Sequence, residues 1–414
     1  MIKIVTSGEA IVLAKARANN NAKYEDAVRP IIAAVREEGD AALLRYAREL
    51  DGLGTSCLRV PGDELAAAAE TLCAPVRAAV EIAISNIRQF ADAQLPRERF
   101  EEFSPGRKLG WIVRPLDAVG CYIPSGRYPL FSTLLMTALL AQAAGVPRIC
   151  VTSPHPSREI LACAHLLGLG EVYRVGGAQA IAALAFGTET IQPVDRIVGP
   201  GNAYVAAAKK VLSGEVGIDF IAGPTELLIL AAEGDPRIIA ADMLAQAEHD
   251  ITASAMLITS SRLLAETTRG ELERQVAALP AASVARQAIE SSSFIALVEG
   301  IEDAVAVSNA IAPEHLSLYD EALLPRIKSA GTVFLGAHSP ESAGDYAAGP
   351  SHVLPTSGAA RLRGGLSTAD FVKVIAIQQL TPSALQELAH AIATLARAEG
   401  LEAHARALEV RSVN

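Results

Sequence analysis

The chain is poor in aromatic residues: Phe, Trp and Tyr make up 4% of its 414 residues, with a single Trp. Its cores must therefore be built from Ala, Leu, Ile and Val. Cysteine is scarce as well. Cys57, Cys73, Cys121, Cys150 and Cys163 are scattered, odd in number and without paired spacing. That excludes a disulfide framework and reads as buried small hydrophobes in a reducing compartment. Runs of Lys and Arg are missing, and the formal charge is −10. A nucleic-acid-binding surface, which needs a basic footprint to neutralise phosphates, is excluded. The most apolar window, residues 134–146, contains Thr137 and Gln142 and is too short to span a bilayer. The N-terminal residues show no charged start leading into a long apolar region, so no signal peptide is expected. These absences point to a cytoplasmic, globular protein with no membrane and no nucleic-acid partner.

What is present is length enough for two or three domains, each with its own core. Residues 24–50 keep a 3.6-residue apolar period through Val28, Ile31, Ile32 and Val35, interrupted at Gly39, and residues 63–93 repeat that character. From residue 118 the texture changes to short β-rich runs followed by Ala-rich helical stretches. The first series is 118–124, 148–154, 171–177 and 196–201; the second is 227–232, 253–260, 294–300 and 331–336. This alternation predicts an α/β fold of two doubly wound, Rossmann-like domains of incomplete type, with 214–224 as the crossing between them. Thr381 before Pro382 predicts a capped helix to about Arg397, broken at Gly400 and followed by a short helix holding His404. The expected organisation is a helical segment over 1–115 packing on the second α/β domain, a first α/β domain over 116–224, a second over 225–360, and a C-terminal helical arm over 361–414 suited to packing on a partner subunit.

Ligands of α/β sheets sit at the carboxyl ends of strands, so the glycine-rich strand exits are the places to look. Four stand out: Gly120 to Gly126, Val175 to Gln179, Gly199-Pro200-Gly201-Asn202, and Ala222 to Glu226. None is a GxGxxG fingerprint, and a tight turn needs glycine for its own sake. Polar side chains just past several of them (Tyr122, Gln179, Asn202) make a nucleotide cleft a competing reading. Gln246 and His249, in Gln246-Ala247-Glu248-His249, share one helical face and can reach a single ion; a polar helix end is the plain alternative. Pro313-Glu314-His315-Leu316 offers an acid/base histidine beside a water-orienting carboxylate. Residues 344–356 hold Asp345 and His352 among backbone-restricting Gly and Pro. Glu399 and His404 read by default as a solvated helix face. His155, His165 and His390 look like surface residues, and Cys121 and Cys150, inside strand-like runs, do not look like thiolate nucleophiles.

Taken together and in order, these motifs resemble the histidinol dehydrogenase family, from about residue 20 to the end. The likeness is dense in Val175 to Ala182, Gly199 to Asn202, Gln246 to His249, Pro313 to Leu316 and Ser339 to Tyr346. The resemblance implies a zinc-dependent homodimer that oxidises L-histidinol to L-histidine through the aldehyde with two NAD⁺, at the end of histidine biosynthesis. By motif it implies Gln246, His249, Asp345 and His404 as ligands of one Zn²⁺ per subunit, with His404 coming from the terminal arm of the other subunit. It implies His315 as the general base, Glu314 as the residue that activates water, and Tyr122, Gln179 and Asn202 as NAD contacts. Thr225, His352 and Glu399 fall at substrate-contacting positions, and the metal ligands and His315 also meet the substrate.

Two departures qualify the substrate. Thr225 stands where many members have serine, and residues 361–367 differ from the better-known pattern. A related NAD-dependent dehydrogenase of another small polar alcohol, such as a sulfonated diol, is therefore the alternative within the same class. A zinc hydrolase using Glu314 and His315 on a metal-bound water, and a non-catalytic metal-binding scaffold, are alternatives from other classes. Binding of NAD⁺ separates the first of these from a dehydrogenase, and the intact Glu314-His315 pair argues against the second.

Overall fold

The computed structural model describes residues 2–16, 22–55, 57–125, 129–221, 223–280 and 282–411. Gly126 and Ala222, which belong to two of the glycine-rich motifs, lie outside the described residues. In chain order the strands are β1 (Lys3–Val5), β2 (Arg99–Ser104), β3 (Arg107–Pro115), β4 (Ala118–Tyr122), β5 (Arg148–Thr152), β6 (Glu171–Tyr173) and β7 (Arg196–Val198). They continue as β8 (Gly217–Ile218), β9 (Glu226–Leu230), β10 (Ser254–Thr259), β11 (Phe294–Leu297), β12 (His315–Leu318), β13 (Thr332–Leu335) and β14 (Val372–Leu380). Two parallel sheets result, ordered β6-β5-β4-β7-β8 and β1-β11-β10-β9-β12-β13, together with an antiparallel sheet β14-β3-β2. Each of the eight expected β-rich runs contains a strand, and the α/β class stands.

The chain divides into two units, one of residues 1–94 and 117–371, the other of 95–116 and 372–414. In the first unit β4, β9 and β10 are buried along their whole length. That is why they read as continuous apolar runs and not as alternations: helices cover both faces of a parallel sheet. Small residues set the spacing of those layers. The helix Gly177–Phe186 is rich in alanine, and a Cβ on Gly120 would come within 2.9 Å of its Leu184.

The N-terminal helices depart from expectation in where they pack. Helices Ala22–Glu38 and Asp40–Asp51 lie on helices of the first parallel sheet, and their Val28, Ile32, Val35 and Leu43 share a core with Ile181, Leu184 and Val205. Only the beginning of the chain joins the second sheet, where β1 extends it beside β11. The physical reason is that each helix pair offers one apolar stripe, and the Ala-rich helices beside β4 and β7 present the matching surface. The break between those two helices is at Gly39, as read, with a φ of 56°. Asp40 N–H donates there to Glu189 Oε2 at 2.8 Å, in place of a capping side chain.

The second unit holds β2, β3 and β14, with Trp111 Nε1 donating to the Arg97 carbonyl at 2.9 Å. The helix Pro382–Ala398 follows, capped by Thr381 as expected, then Gly400 with φ 79° and the helix Glu402–Glu409. Ala393, Ala396 and Ala405 form the contact between these helices. The stretch expected to be a helical arm, 361–414, thus contains a nine-residue strand paired over its length with β3, and its residues 361–371 belong to the first unit. No helix among the described residues is long and apolar enough to cross a membrane.

A buried ion pair braces one strand exit of the first sheet. Lys209 Nζ donates to Asp219 Oδ1 at 2.7 Å and to the Gly199 carbonyl at 2.5 Å, while Asp219 Oδ2 accepts from Gly199 N at 2.8 Å. Both side chains are almost fully buried. Gly199 has φ 110°, and a Cβ there would meet the Tyr122 carbonyl at 2.2 Å. Removing one partner would leave the other charge buried and unpaired, which costs far more than the pair contributes. Asp219→Ala is expected to lose about 3–5 kcal/mol of stability in denaturant unfolding; a loss below about 1 kcal/mol would contradict this role for the pair.

Candidate active site

Two places in the first unit carry the polar residues singled out in the sequence. The first is a cavity of about 540 Å³ at the carboxyl ends of the first parallel sheet, whose lining includes Tyr122, Gln179, Asn202, Tyr204 and Asp51. Tyr122 ends β4, and its hydroxyl accepts from Gly177 N at 3.2 Å. Gly177 adopts φ 62° to open the next helix. Asn202 caps the helix Ala203–Leu212, its side-chain oxygen accepting from Tyr204 N and Val205 N. The three expected cofactor contacts therefore line one cavity, at the edge of the sheet where an α/β fold binds nucleotides. Glu314 and His315 do not line it.

The second place is the opposite, amino edge of the second sheet. Thr225 immediately precedes β9, and Glu314 precedes β12, which opens on His315 and pairs with β9 in parallel. The motif containing Thr225 is thus a strand entry, where the sequence reading treated it as an exit. Glycines let the backbone pack at this edge: a Cβ on Gly331 would lie 2.5 Å from the Glu314 carbonyl.

Glu314 and His315 are both buried. Glu314 Oε2 accepts from the Thr225 hydroxyl at 2.6 Å and from Glu226 N at 2.8 Å. Burial pushes its carboxyl above the usual range, against the opposing pull of His315 and of these two hydrogen bonds. The Thr225 hydroxyl in turn accepts from Gln246 Nε2 at 2.8 Å. His315 Nδ1 lies 3.1 Å from the Glu226 carbonyl; since a carbonyl only accepts, Nδ1 carries a proton, and in the neutral ring the lone pair is on Nε2. Nε2 is buried without a hydrogen-bond partner, 3.8 Å from Asp345 Oδ1. Burial alone would lower the His315 pKa, but the carboxylates of Glu314 and Asp345 outweigh it and raise it to about 9. The ring stacks on Phe334.

Asp345 is carried by the short helix Glu341–Tyr346. Burial pushes its carboxyl up, yet the neighbouring histidines, His315 foremost, hold it below the usual range. Its Oδ2 is 4.0 Å from Nε2 of the half-exposed His249. Its backbone carbonyl accepts from His352 Nδ1 at 2.8 Å, and His352 Nε2 lies 3.1 Å from the Thr133 hydroxyl. Burial lowers the His352 pKa, so the ring is neutral and accepts at Nε2. Thr133 belongs to the helix that follows β4, so this chain of bonds links the two parallel sheets.

Gln246, His249 and Asp345 suit a metal ion in their donor chemistry. Gln246 Oε1 is buried with no hydrogen-bond partner, a costly state unless another group takes its lone pairs. Among the described residues no group of three His, Cys, Asp or Glu side chains gathers as a metal cluster; an amide oxygen, one carboxylate and one imidazole are what this unit supplies. Glu399 and His404 lie in the second unit, both exposed.

Three participants were not found from the sequence. Asp51 accepts from Gly176 N at 2.9 Å and from Gln179 Nε2 at 3.0 Å. Thr133 orients His352. Glu341, one helical turn before Asp345, is buried with both oxygens lacking hydrogen-bond partners, and burial together with Asp242 raises its pKa to about 7. Asp51 alone left a signal: an acid at the last position of a helix opposes the helix dipole. Cys121 and Cys150 are buried, which pushes both thiols up, Cys121 to about 12, so neither is a thiolate. His155, His165 and His390 are exposed, as expected.

The sequence profile of the histidinol dehydrogenase family matches residues 14–412. A histidinol dehydrogenase of Thermus thermophilus is 49% identical over 394 residues, 94% of each chain. One of Halalkalibacterium halodurans is 44% identical over 420 residues, 99% of each chain. Among solved structures, the histidinol dehydrogenase of Elizabethkingia anophelis superposes with a TM-score of 0.90 at 39% identity, covering 93% of this chain and 91% of that one.

The Thr225 hydroxyl joins two otherwise separate side chains. Thr225→Val, of similar volume, leaves the Gln246 amide N–H unpartnered and takes one bond from Glu314. It is expected to cost about 1–3 kcal/mol in unfolding experiments, with Thr225→Ser close to the parent protein. A valine variant as stable as the parent would contradict the relay.

Proposed function

The chain belongs to the histidinol dehydrogenase family, and from that premise we propose how its residues divide the work. It is an NAD-dependent oxidoreductase that oxidises histidinol to histidine in histidine biosynthesis. The alternative alcohol substrate has no support, since the relatives compared above are all histidinol dehydrogenases. The hydrolase and scaffold readings fall with the same assignment.

In our proposal NAD⁺ occupies the cavity lined by Tyr122, Gln179 and Asn202. Zn²⁺ is held by Gln246, His249 and Asp345, with His404 supplied by the terminal arm of a second copy in a cytoplasmic homodimer. When bound, the zinc supplies positive charge that fixes the substrate's imidazole and amine. Thr225, His352 and Glu399 complete the substrate contacts.

The observation that carries this reading is the state of His315. Its Nδ1 is anchored on the Glu226 carbonyl, and its Nε2 is buried and without a partner. Nε2 accepts the alcohol proton of L-histidinol as hydride leaves the same carbon for NAD⁺, giving the aldehyde and NADH. Glu314 takes a proton from the water that adds to the aldehyde, while protonated His315 returns its proton to the aldehyde oxygen, giving the hydrate and a neutral ring. His315 then accepts the hydroxyl proton of the hydrate while a second hydride passes to a second NAD⁺. With Asp345 engaged as a ligand, one of the two carboxylates that favour a proton on His315 would be neutralised, which lowers the ring's pKa toward that of a working base.

Oxidation of L-histidinol is expected to yield two NADH per molecule, to stop on chelation and to return with added Zn²⁺. One NADH with accumulating aldehyde, or activity indifferent to chelation, would contradict the reading. His315→Asn is expected to lower kcat by about 10²–10⁴, the usual reach of a general base, with zinc content unchanged by elemental analysis. Loss of zinc in that variant would show that base and ligands are not separate.

A further inference from the structure

We propose that Asp51 is a positioning residue for the dinucleotide: it fixes the Gln179 amide so that the side-chain oxygen alone is offered to the cofactor, which therefore presents a hydrogen-bond donor there, a hydroxyl or an amide N–H. The inference rests on the cofactor assignment above and deepens it.

Gln179 is fully buried and lines the cavity. An amide can turn either end outward, and nothing in its shape decides which. Here Asp51 decides it. The carboxylate only accepts, so Gln179 must direct Nε2 at it, at 3.0 Å, and Oε1 is left buried without a partner. The approach to Oε1 runs past Gly177, also on the cavity wall, where a Cβ would lie 2.5 Å away. A glycine at that position leaves beside the oxygen the space that a Cβ would fill. The same oxygen, Asp51 Oδ2, also accepts from Gly176 N at 2.9 Å, a backbone donor that fixes its position.

The placement of Asp51 has an energetic cost that packing does not explain. It is the last residue of the helix Asp40–Asp51, where the helix dipole disfavours negative charge, and its side chain is buried. A cap or an apolar residue would suit that position better if stability were its whole role. The bonds to Gly176 N and Gln179 Nε2 tie the N-terminal helices to the strand exit that bears the cofactor contacts.

The test measures KM for NAD⁺, kcat at saturating NAD⁺ and KM for L-histidinol in the zinc-loaded enzyme. Asp51→Ala and Gln179→Ala are each expected to raise KM for NAD⁺ about tenfold, the scale of one hydrogen bond. KM for L-histidinol is expected to hold within about twofold. The double variant should be no worse than Gln179→Ala, because Asp51 acts through Gln179. A second pair guards against misfolding of the truncations. Gln179→Glu sets two carboxylates against each other and should raise KM for NAD⁺, and adding Asp51→Asn, which removes the like charge and can donate to Glu at 179 in place of the bond accepted from Gly176 N, should lower it again. If Asp51→Ala leaves KM unchanged, or adds its full effect to Gln179→Ala, or if Asp51→Asn gives no rescue, the proposal is overturned. If Gln179→Ala itself leaves KM unchanged, the cofactor assignment fails and this inference with it.

Discussion

The chemistry proposed for this protein depends on one hydrogen bond, from His315 Nδ1 to the Glu226 carbonyl. It sets the tautomer, and the tautomer decides which nitrogen keeps a lone pair for a substrate proton. The bond exists because β12 and β9 run in parallel with His315 opposite Leu227, which puts the ring beside the entry of the neighbouring strand. Glu226 N–H, on the same peptide edge, donates to Glu314. One short stretch of backbone therefore orients both residues assigned to proton transfer. A shift of one residue in the pairing would turn each strand's side chains to the other face and separate them.

Around that edge the protein buries several charges and polar groups that it does not fully satisfy. Gln246 Oε1, His315 Nε2 and both oxygens of Glu341 have no hydrogen-bond partner. A structure selected for stability alone would pair or remove such groups. Their gathering on the segments that carry Asp345, Glu314 and Gln246 is what the proposed substrate and metal site would use. The surrounding scaffold is conservative by contrast: Ala-rich helices on buried parallel strands, and the Lys209–Asp219 pair, which is satisfied on both sides.

Much of this was legible in the sequence, for identifiable reasons. Strands such as 118–122 and 226–230 are buried on both faces, so their apolar runs announce them. Helix limits at Gly39, Thr381 and Gly400 were readable because glycine and capping residues act locally. The strands 99–104, 107–115 and 372–380 were missed because each is exposed or half-buried along its whole length, and the pairing of the last two spans more than 250 residues. At the candidate site, Gln246, His249, Glu314, His315 and Asp345, which the structure brings near one another, were singled out through ordered motifs. Asp51, Thr133 and Glu341 were not, because each acts on a partner distant in sequence or carries no local pattern. The position of Thr225 at a strand entry was likewise beyond a rule that looks for ligands at strand exits.

The most direct test of the central claim is the protonation of His315 in the zinc-loaded enzyme, read by ¹⁵N NMR of histidine-labelled protein and assigned by comparison with His315→Asn. The expected result is a neutral ring at working pH, with the proton on Nδ1 and Nε2 unprotonated. A proton on Nε2, as the other tautomer or as an imidazolium, would contradict it, because no lone pair would then be available for the alcohol proton.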